Sequence, residues 1–315
     1  MIVVCEHCNS RLKVDERRLD PGVRKFSARC PRCRQSIIIS LPEEIPDVIE
    51  LQQTEELLPQ RNGYTIVITN QKGGVAKTST CLNLGLSLAL LEKKVLLIDF
   101  DIQANLTIAM GYQNTSSFYD LYNRSPLEFK AALIQTSYPG LWLLPSNKNM
   151  VLLSKKFFGK HEYEYILDRQ LSRIKQEFDY IIIDTPPSIE FFTINALTTS
   201  NLAIIPTPCD YLSTHGVDQV IKIIDLIRRK TNPKLEARIL VTMYEEATTA
   251  ARMIFTKLKT LHPGRLYQTV IPRDERMQEA QIMSMPVINY DQKSSSGRQY
   301  LALAREICSP TRKNG

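Results

Sequence analysis

No apolar run in these 315 residues is longer than a β-strand, and none approaches the ~20 residues that a membrane-spanning helix needs. Cys5 and Glu6 interrupt the amino-terminal stretch, so it lacks the continuous apolar segment of a signal peptide. A cytoplasmic protein without a membrane anchor is the expectation. Cysteine is scarce outside one pattern. Of seven cysteines, four stand as Cys5-x-x-Cys8 and Cys30-x-x-Cys33, and in a reducing compartment that paired spacing favours a metal over disulfides. Cys81, Cys209 and Cys308 fall in predicted helices or at strand ends and read as packing residues. Acids are short in some stretches and concentrated in others: residues 42 to 61 hold six against Arg61 alone, whereas from 222 to 315 seventeen Lys/Arg face nine Asp/Glu. The net charge of +7 therefore gathers in the carboxyl-terminal third, which suits a polyanion partner but also suits plain solubility.

What is present divides the chain. With 43% hydrophobic residues it can bury a large core, and its length exceeds the ~100 to 200 residues of a usual domain, so two units are expected. Residues 1–41 read as a zinc ribbon: each Cys-x-x-Cys makes a turn presenting two thiolates, and the two turns converge on one tetrahedral Zn²⁺ held by Cys5, Cys8, Cys30 and Cys33. His7 would be a fifth candidate for a shell that four cysteines already fill, and a redox dithiol pair is the competing chemistry. So small a unit would depend on its metal to fold. Nine Lys/Arg against four acids permit nucleic-acid contact or mere solubility, and a protein-interaction or targeting role is the preferred reading. Residues 42–61, with Pro42, Pro46 and Pro59, read as an acidic linker.

From residue 62 to 315 apolar strands alternate with helical periodicity. Strands are expected near 64–69, 95–100, 141–145, 179–184, 202–206, 237–243 and 267–271. The fold class is α/β, a mostly parallel, doubly wound sheet of the P-loop NTPase kind, preceded by the small ribbon. Between the first strand and the first helix stands Gln71-Lys72-Gly73-Gly74-Val75-Ala76-Lys77-Thr78-Ser79. A strand, a glycine turn and a helix start aim several backbone N–H groups at one anion. Lys77 would reach the β- and γ-phosphates and the Thr78 hydroxyl would hold Mg²⁺.

Gln71 and Ala76 occupy positions where the general phosphate-loop pattern has glycine. The second lysine in Lys72-Gly73-Gly74-x-x-Lys77-Thr78-Ser79 resembles the deviant Walker A motif of the ParA/MinD family of dimeric ATPases. The likeness continues through Asp99-Phe100-Asp101-Ile102-Gln103, Asp184-Thr185-Pro186-Pro187, Ile205-Pro206-Thr207-Pro208 and Ile271-Pro272-Arg273-Asp274, over about residues 64 to 309. It implies that Lys72 crosses a dimer interface to the partner's phosphates, that Asp101 positions the attacking water, and that Asp184 binds Mg²⁺ directly or through water. It implies further that Gly73 to Ser79 cradle the phosphates and that Pro272 and Arg273 frame the adenine, with Arg273 as a plain surface charge the alternative. No Asn-Lys-x-Asp guanine reader is evident, so ATP is preferred over GTP.

Within the family, a membrane-targeting helix, cluster-bridging cysteines and a tyrosine-rich tail are each missing, which leaves the ParA branch. That branch implies a nucleotide-dependent homodimer that binds nucleoid DNA without sequence preference. A ParB-like or cargo-adaptor partner would stimulate its hydrolysis, and the cargo would be a chromosome, plasmid or protein complex. Arg265, Arg276, Arg298 and Arg305 are the DNA-contact candidates, with Lys257 and Lys259 behind them. The alternative is a zinc-ribbon scaffold whose nucleotide site binds but scarcely hydrolyses. Ala76 is its best support, because glycine at that position could take positive φ without cost.

Overall fold

The computed structural model describes residues 2–8, 11–13, 25–40, 63–157, 159–210 and 213–309. The chain divides into two compact units, Met1–Leu58 and Pro59–Gly315. The expected linker, 42–61, lies outside the described residues.

The first unit carries two antiparallel hairpins, β1 (Ile2–Val4) with β2 (Arg11–Lys13) and β3 (Lys25–Arg29) with β4 (Ser36–Ser40). Alternation along the second hairpin decides which face is covered. Ile37 and Ile39 are buried with Cys5 and Cys30, while Ile38 between them faces solvent.

The second unit is built on a seven-stranded sheet of β5 (Tyr64–Ile68), β6 (Val95–Asp99), β7 (Ile134–Gln135), β8 (Leu141–Leu144), β9 (Tyr180–Asp184), β10 (Leu202–Pro208) and β11 (Glu236–Thr242). The spatial order is β11-β10-β5-β9-β6-β8-β7, parallel throughout except for β7. Val95-Leu96-Leu97-Ile98 and Ile181-Ile182-Ile183 are fully buried, as continuous apolar runs in a doubly covered sheet must be.

Twelve α-helices accompany the strands among the described residues. They are α1 (Lys77–Leu90), α2 (Asn105–Ala109), α3 (Phe118–Leu121), α4 (Pro126–Ala131), α5 (Met150–Phe157) and α6 (Ile166–Leu171). The remainder are α7 (Phe191–Thr199), α8 (Ser213–Lys230), α9 (Thr249–Leu261), α10 (Arg276–Ile282), α11 (Val287–Tyr290) and α12 (Ser295–Cys308). Leu84 and Leu88 of α1 and Tyr300 and Leu303 of α12 pack in one core layer, and Leu167 of α6, Ala196 of α7 and Val220 of α8 in the other. Each fully buried leucine contributes roughly 1.5–3 kcal/mol. Gly85 lets α1 lie close on the sheet, since a Cβ there would come within 2.5 Å of Leu97 Cδ2.

Six of the expected strands form where the apolar runs stand, but 267–271 does not become one. It follows β11 only through isolated bridges, Ile239 with Leu266 and Tyr244 with Pro272. The backbone there bonds at intervals, Tyr267 N–H to Ile239 O at 3.0 Å and Ile271 N–H to Val241 O at 2.9 Å. Glu306 instead takes the Gln268 and Thr269 N–H groups, each at 3.0 Å, so a side chain supplies what a ladder would have. The two-residue edge strand β7 carries too short a pattern to be read from sequence.

Candidate nucleotide and metal sites

Three strand ends meet at one place in the sheet. Ile68 of β5 and Asp99 of β6 both stand in register with Asp184 of β9, so the loops after these strands leave from adjacent carboxyl ends. That is where an open α/β sheet takes its ligand.

The loop after β5 turns at Gly74, φ 70°, and enters α1 through Ala76 at φ 69° and ψ 32°. It is pinned from several sides. Asn70 Nδ2 donates to the Pro206 carbonyl at 2.8 Å, Asn70 Oδ1 accepts the Lys72 N–H at 3.1 Å, and Thr242 Oγ1 donates to the Val75 carbonyl at 3.3 Å. Val75 is buried while Gly73 and Gly74 are exposed, and a Cβ built on either glycine would meet nothing within 4 Å. The loop thus presents open backbone at the amino end of a fourteen-residue helix, the setting that binds anions. Ser79 Oγ accepts from Gln281 Nε2 at 2.8 Å.

Lys77 is buried, and its Nζ donates to the Lys72 carbonyl at 2.9 Å. Burial pushes its pKa down, against the opposing pull of Asp184 and Asp101. Thr78 Oγ1 donates to Asp184 Oδ2 at 2.7 Å, while Asp184 Oδ1 is enclosed with no hydrogen-bond partner. Burial first, then the neighbouring Asp99, raises the Asp184 carboxyl to about 8. A hydroxyl and a carboxylate in contact, with one buried oxygen unmatched, form the hard-oxygen pair that suits Mg²⁺.

The two carboxylates of Asp99-Phe100-Asp101 have different work. Asp99 is wholly buried and accepts from Thr107 N–H at 2.8 Å, Thr107 Oγ1 at 2.7 Å and Asp101 N–H at 3.3 Å. Burial lifts its carboxyl to about 6 in spite of these bonds. It therefore fixes the loop. Asp101 accepts from Gln103 N–H at 3.0 Å, its carboxyl also raised by burial, and its carbonyl takes Ser146 Oγ at 2.5 Å. Phe100 between them is a buried wedge edge-on to Phe118 and Phe192, with ring centroids 5.4 and 5.2 Å away. In the loop after β9, Pro186 is buried and Pro187 exposed, and Thr185 Oγ1 donates to the Ile68 carbonyl at 2.8 Å.

The Lys72 side chain extends toward Asp210 and α8. Its Nζ lies 3.3 Å from Asp210 Oδ1, just past β10, and its stem runs beside Gly216 of α8, where a Cβ would stand 3.5 Å from Lys72 Cε. Arg273 pairs with Glu245 at 2.7 Å and lines an open cleft with Asp274, Glu275, Arg276 and Glu279. The Pro272 carbonyl accepts from Ser296 Oγ at 2.9 Å.

The arginines singled out for DNA separate into two kinds. Arg298 and Arg305 are exposed on α12. Arg276 is tied to Asp291 at 2.7 Å, and Arg265 is half-buried with one guanidinium nitrogen enclosed and without a partner. Lys257 and Lys259 are exposed on α9.

In the first unit the Sγ atoms of Cys5, Cys8, Cys30 and Cys33 all lie within 4.8 Å of one another. Cys5 to Cys33 and Cys8 to Cys30 are each 3.7 Å, close to the S–S edge of about 3.8 Å that follows from tetrahedral Zn–S bonds of ~2.3 Å. The second knuckle closes as such turns do, with Arg34 N–H on the Cys30 carbonyl and Cys30 N–H on the Gln35 carbonyl, both 2.9 Å. His7 is exposed and outside the group of four.

Sequence reasoning passed over Asn70, Thr107, Ser146, Asp210 and Thr242. Each acts through a bond to a distant backbone or side chain, as with Thr242 and Val75, 167 residues apart. No local pattern encodes such a contact.

The description "AAA domain" fits residues 63–237 of this chain. Over 78% of its length the chain is 35% identical to the sporulation initiation inhibitor protein Soj of Bacillus subtilis, covering 98% of that protein. It is 34% identical over 78% of its length to the chromosome partitioning protein ParA of Myxococcus xanthus, covering 88% of it. Among solved structures, cobyrinic acid a,c-diamide synthase of Mycobacterium smegmatis with a bound ATP analogue and magnesium superposes with a TM-score of 0.67 at 30% identity. That match covers 77% of this chain and 93% of the synthase.

Proposed function

Since the chain belongs to the ParA/MinD family of P-loop ATPases, we propose that it is an ATP-driven dimerising switch that binds DNA without sequence preference and positions or partitions a cargo. The contact between Thr78 and Asp184, with Asp184 Oδ1 buried and unmatched beside Lys77, carries the reading.

When bound, Mg²⁺-ATP supplies an electrophilic γ-phosphoryl group whose transfer to water the protein must orient and shield. Backbone N–H groups of Gly73 to Ser79 hold the phosphates, and the Lys77 ammonium neutralises charge developing on them. Thr78 and Asp184 hold Mg²⁺. Asp101, kept in place by Asp99, Thr107 and Ser146, orients the attacking water. Pro272 and Arg273 border the base. Lys72 leaves Asp210 to reach the phosphates of the second protomer, so nucleotide and dimerisation are coupled. Hydrolysis is slow until a ParB-like or cargo-bound adaptor stimulates it. Arg298 and Arg305, exposed on α12, are the strongest of the four arginines for the DNA face; Arg276 is exposed but already paired with Asp291, and Arg265 is half-buried. The four cysteines hold a structural Zn²⁺.

Light scattering and phosphate release, measured on variants with ATP, test the reading. Lys77→Ala should lose ATP binding or turnover. Asp101→Ala should keep ATP binding, slow hydrolysis and accumulate a dimer. Hydrolysis at the wild-type rate in Asp101→Ala would remove Asp101 from its role, and a chain that binds ATP but never turns it over would leave a nucleotide-dependent scaffold.

A further inference from the structure

The second ribbon hairpin has an outer face distinct from the one that packs on the cysteines. In the antiparallel pairing Ser27 stands opposite Ile38 and Arg29 opposite Ser36. Lys25, Ser27, Arg29, Ser36 and Ile38 are all exposed, Ile38 at 76%, while their alternates Ile37 and Ile39 pack inward. Arg32 and Arg34, in the knuckle that joins the two strands, are exposed as well. From Lys25 to Ser40 there are four cations and no acid. None of the four has an ion-pair partner among the described residues. Arg34 moreover sits at φ 59°, a left-handed position that glycine takes more readily than an arginine.

From these features we infer that the β3–β4 hairpin is a duplex-DNA contact that works without nucleotide. Three of the four cations are arginines, whose planar guanidinium matches phosphate oxygens. Lys25 and Arg29 lie on one face four residues apart, which at ~3.4 Å per residue is about 14 Å. The major groove is ~12 Å wide and admits a two-stranded ribbon. Cations at both ends of the face would meet phosphates on the two rims, with Ile38 and the small Ser27 between them against the base edges. An exposed isoleucine between arginines suits a thymine methyl, and no aromatic side chain stands on the face to stack unpaired bases. The contact lies in the unit that lacks the phosphate loop, goes beyond the ATP-dependent contact proposed above and does not depend on it.

The test uses the full zinc-loaded chain with ADP and a labelled 30-bp duplex, followed by fluorescence anisotropy between 50 and 200 mM salt. Four phosphate contacts predict a salt slope, log K against log salt, of about −3.6. Arg29→Glu with Arg32→Glu should cut affinity in ADP at least tenfold and flatten the slope by about 2, with zinc content unchanged. Arg29→Gln with Arg32→Gln should fall between. Ile38→Ser should weaken binding severalfold at an unaltered slope. A gain in affinity from ADP to ATP should persist in all four proteins, which separates this contact from the switch. Equal affinity and slope in wild type and the charge-reversed variant would overturn the inference. So would polyglutamate of matched charge competing as well as the duplex, which would assign the face to an acidic protein segment.

Discussion

Replacing Ala76 with glycine should stabilise the ATPase domain, and the size of the gain follows from one backbone angle. Ala76 holds φ 69° and ψ 32° at the start of α1, a conformation that costs an L-residue about 1–2 kcal/mol. Glycine removes that cost but loses about 0.5–1 kcal/mol more entropy on folding. The balance is a gain of about 0.5–1 kcal/mol, or about 1–4 °C in Tm for a domain of this size. Ala104, at φ 54° and ψ 32° before α2, provides a matched control, because Ala104→Gly should give a similar gain in a different loop. If the loop keeps its conformation when nucleotide binds, the strain cancels in the binding equilibrium. A rise in ATP affinity or kcat in Ala76→Gly but not in Ala104→Gly would therefore report crowding of the phosphate by the methyl group. Thermal melts and nucleotide titrations on the two variants and the parent decide it. A lower Tm in Ala76→Gly, with Ala104→Gly raised, would refute the strain argument at this position. No change in affinity or rate would show that the loop accommodates the methyl.

The remaining predictions concern protons, zinc and the loop lysine. Asp184, raised to about 8, keeps in the folded protein a proton that an unfolded chain's aspartate loses near ~3.9, so stability without Mg²⁺ should fall as pH rises from about 4 to about 8. Mg²⁺ must displace that proton, so its affinity should increase by up to about tenfold per pH unit between 6 and 8; calorimetry showing no proton release would contradict this. Cys30→Ser should reduce bound zinc from one ion per chain and lower the ribbon's resistance to proteolysis, while phosphate release by the ATPase domain stays at the parent rate; elemental analysis and digestion check both. Lys72→Ala should remain monomeric in ATP by light scattering, whereas Asp210→Asn, which removes the charge from an exposed pair with Lys72 worth roughly 0–1 kcal/mol, should change the dimerisation midpoint by no more than about fivefold.

Much of this could be read from the residue order because it rests on local patterns. Buried parallel strands need continuous apolar runs, and Val95 to Ile98 and Tyr180 to Ile183 could be read for that reason. A phosphate loop needs its lysine, threonine and glycines within a few residues of one another, so that part of the site was legible too. The stretch 267–271 has strand composition but lies where Glu306 takes its backbone donors, and a bond across 37 residues leaves no local trace. The partners that hold Asp99 and Asp101, Thr107 and Ser146, were equally hidden. Arg276 and Arg298 look alike as sequence. Both are exposed, and only the fold brings Asp291 to the first.

The borders of the sheet bear on how the protein can associate. On one side the sheet ends in β7, two residues long and running against its neighbour. On the other, the irregular segment 265–273 touches β11 at intervals and occupies its outward hydrogen-bonding groups without becoming a strand itself. Neither margin offers a long row of free backbone donors and acceptors, which is the template that lets sheets grow from one molecule into the next. Among the described residues the seven-stranded sheet is thereby discouraged from zipping strand to strand onto that of another copy. The meeting of copies is left to side-chain surfaces, whose contacts can be made and broken with the state of a ligand.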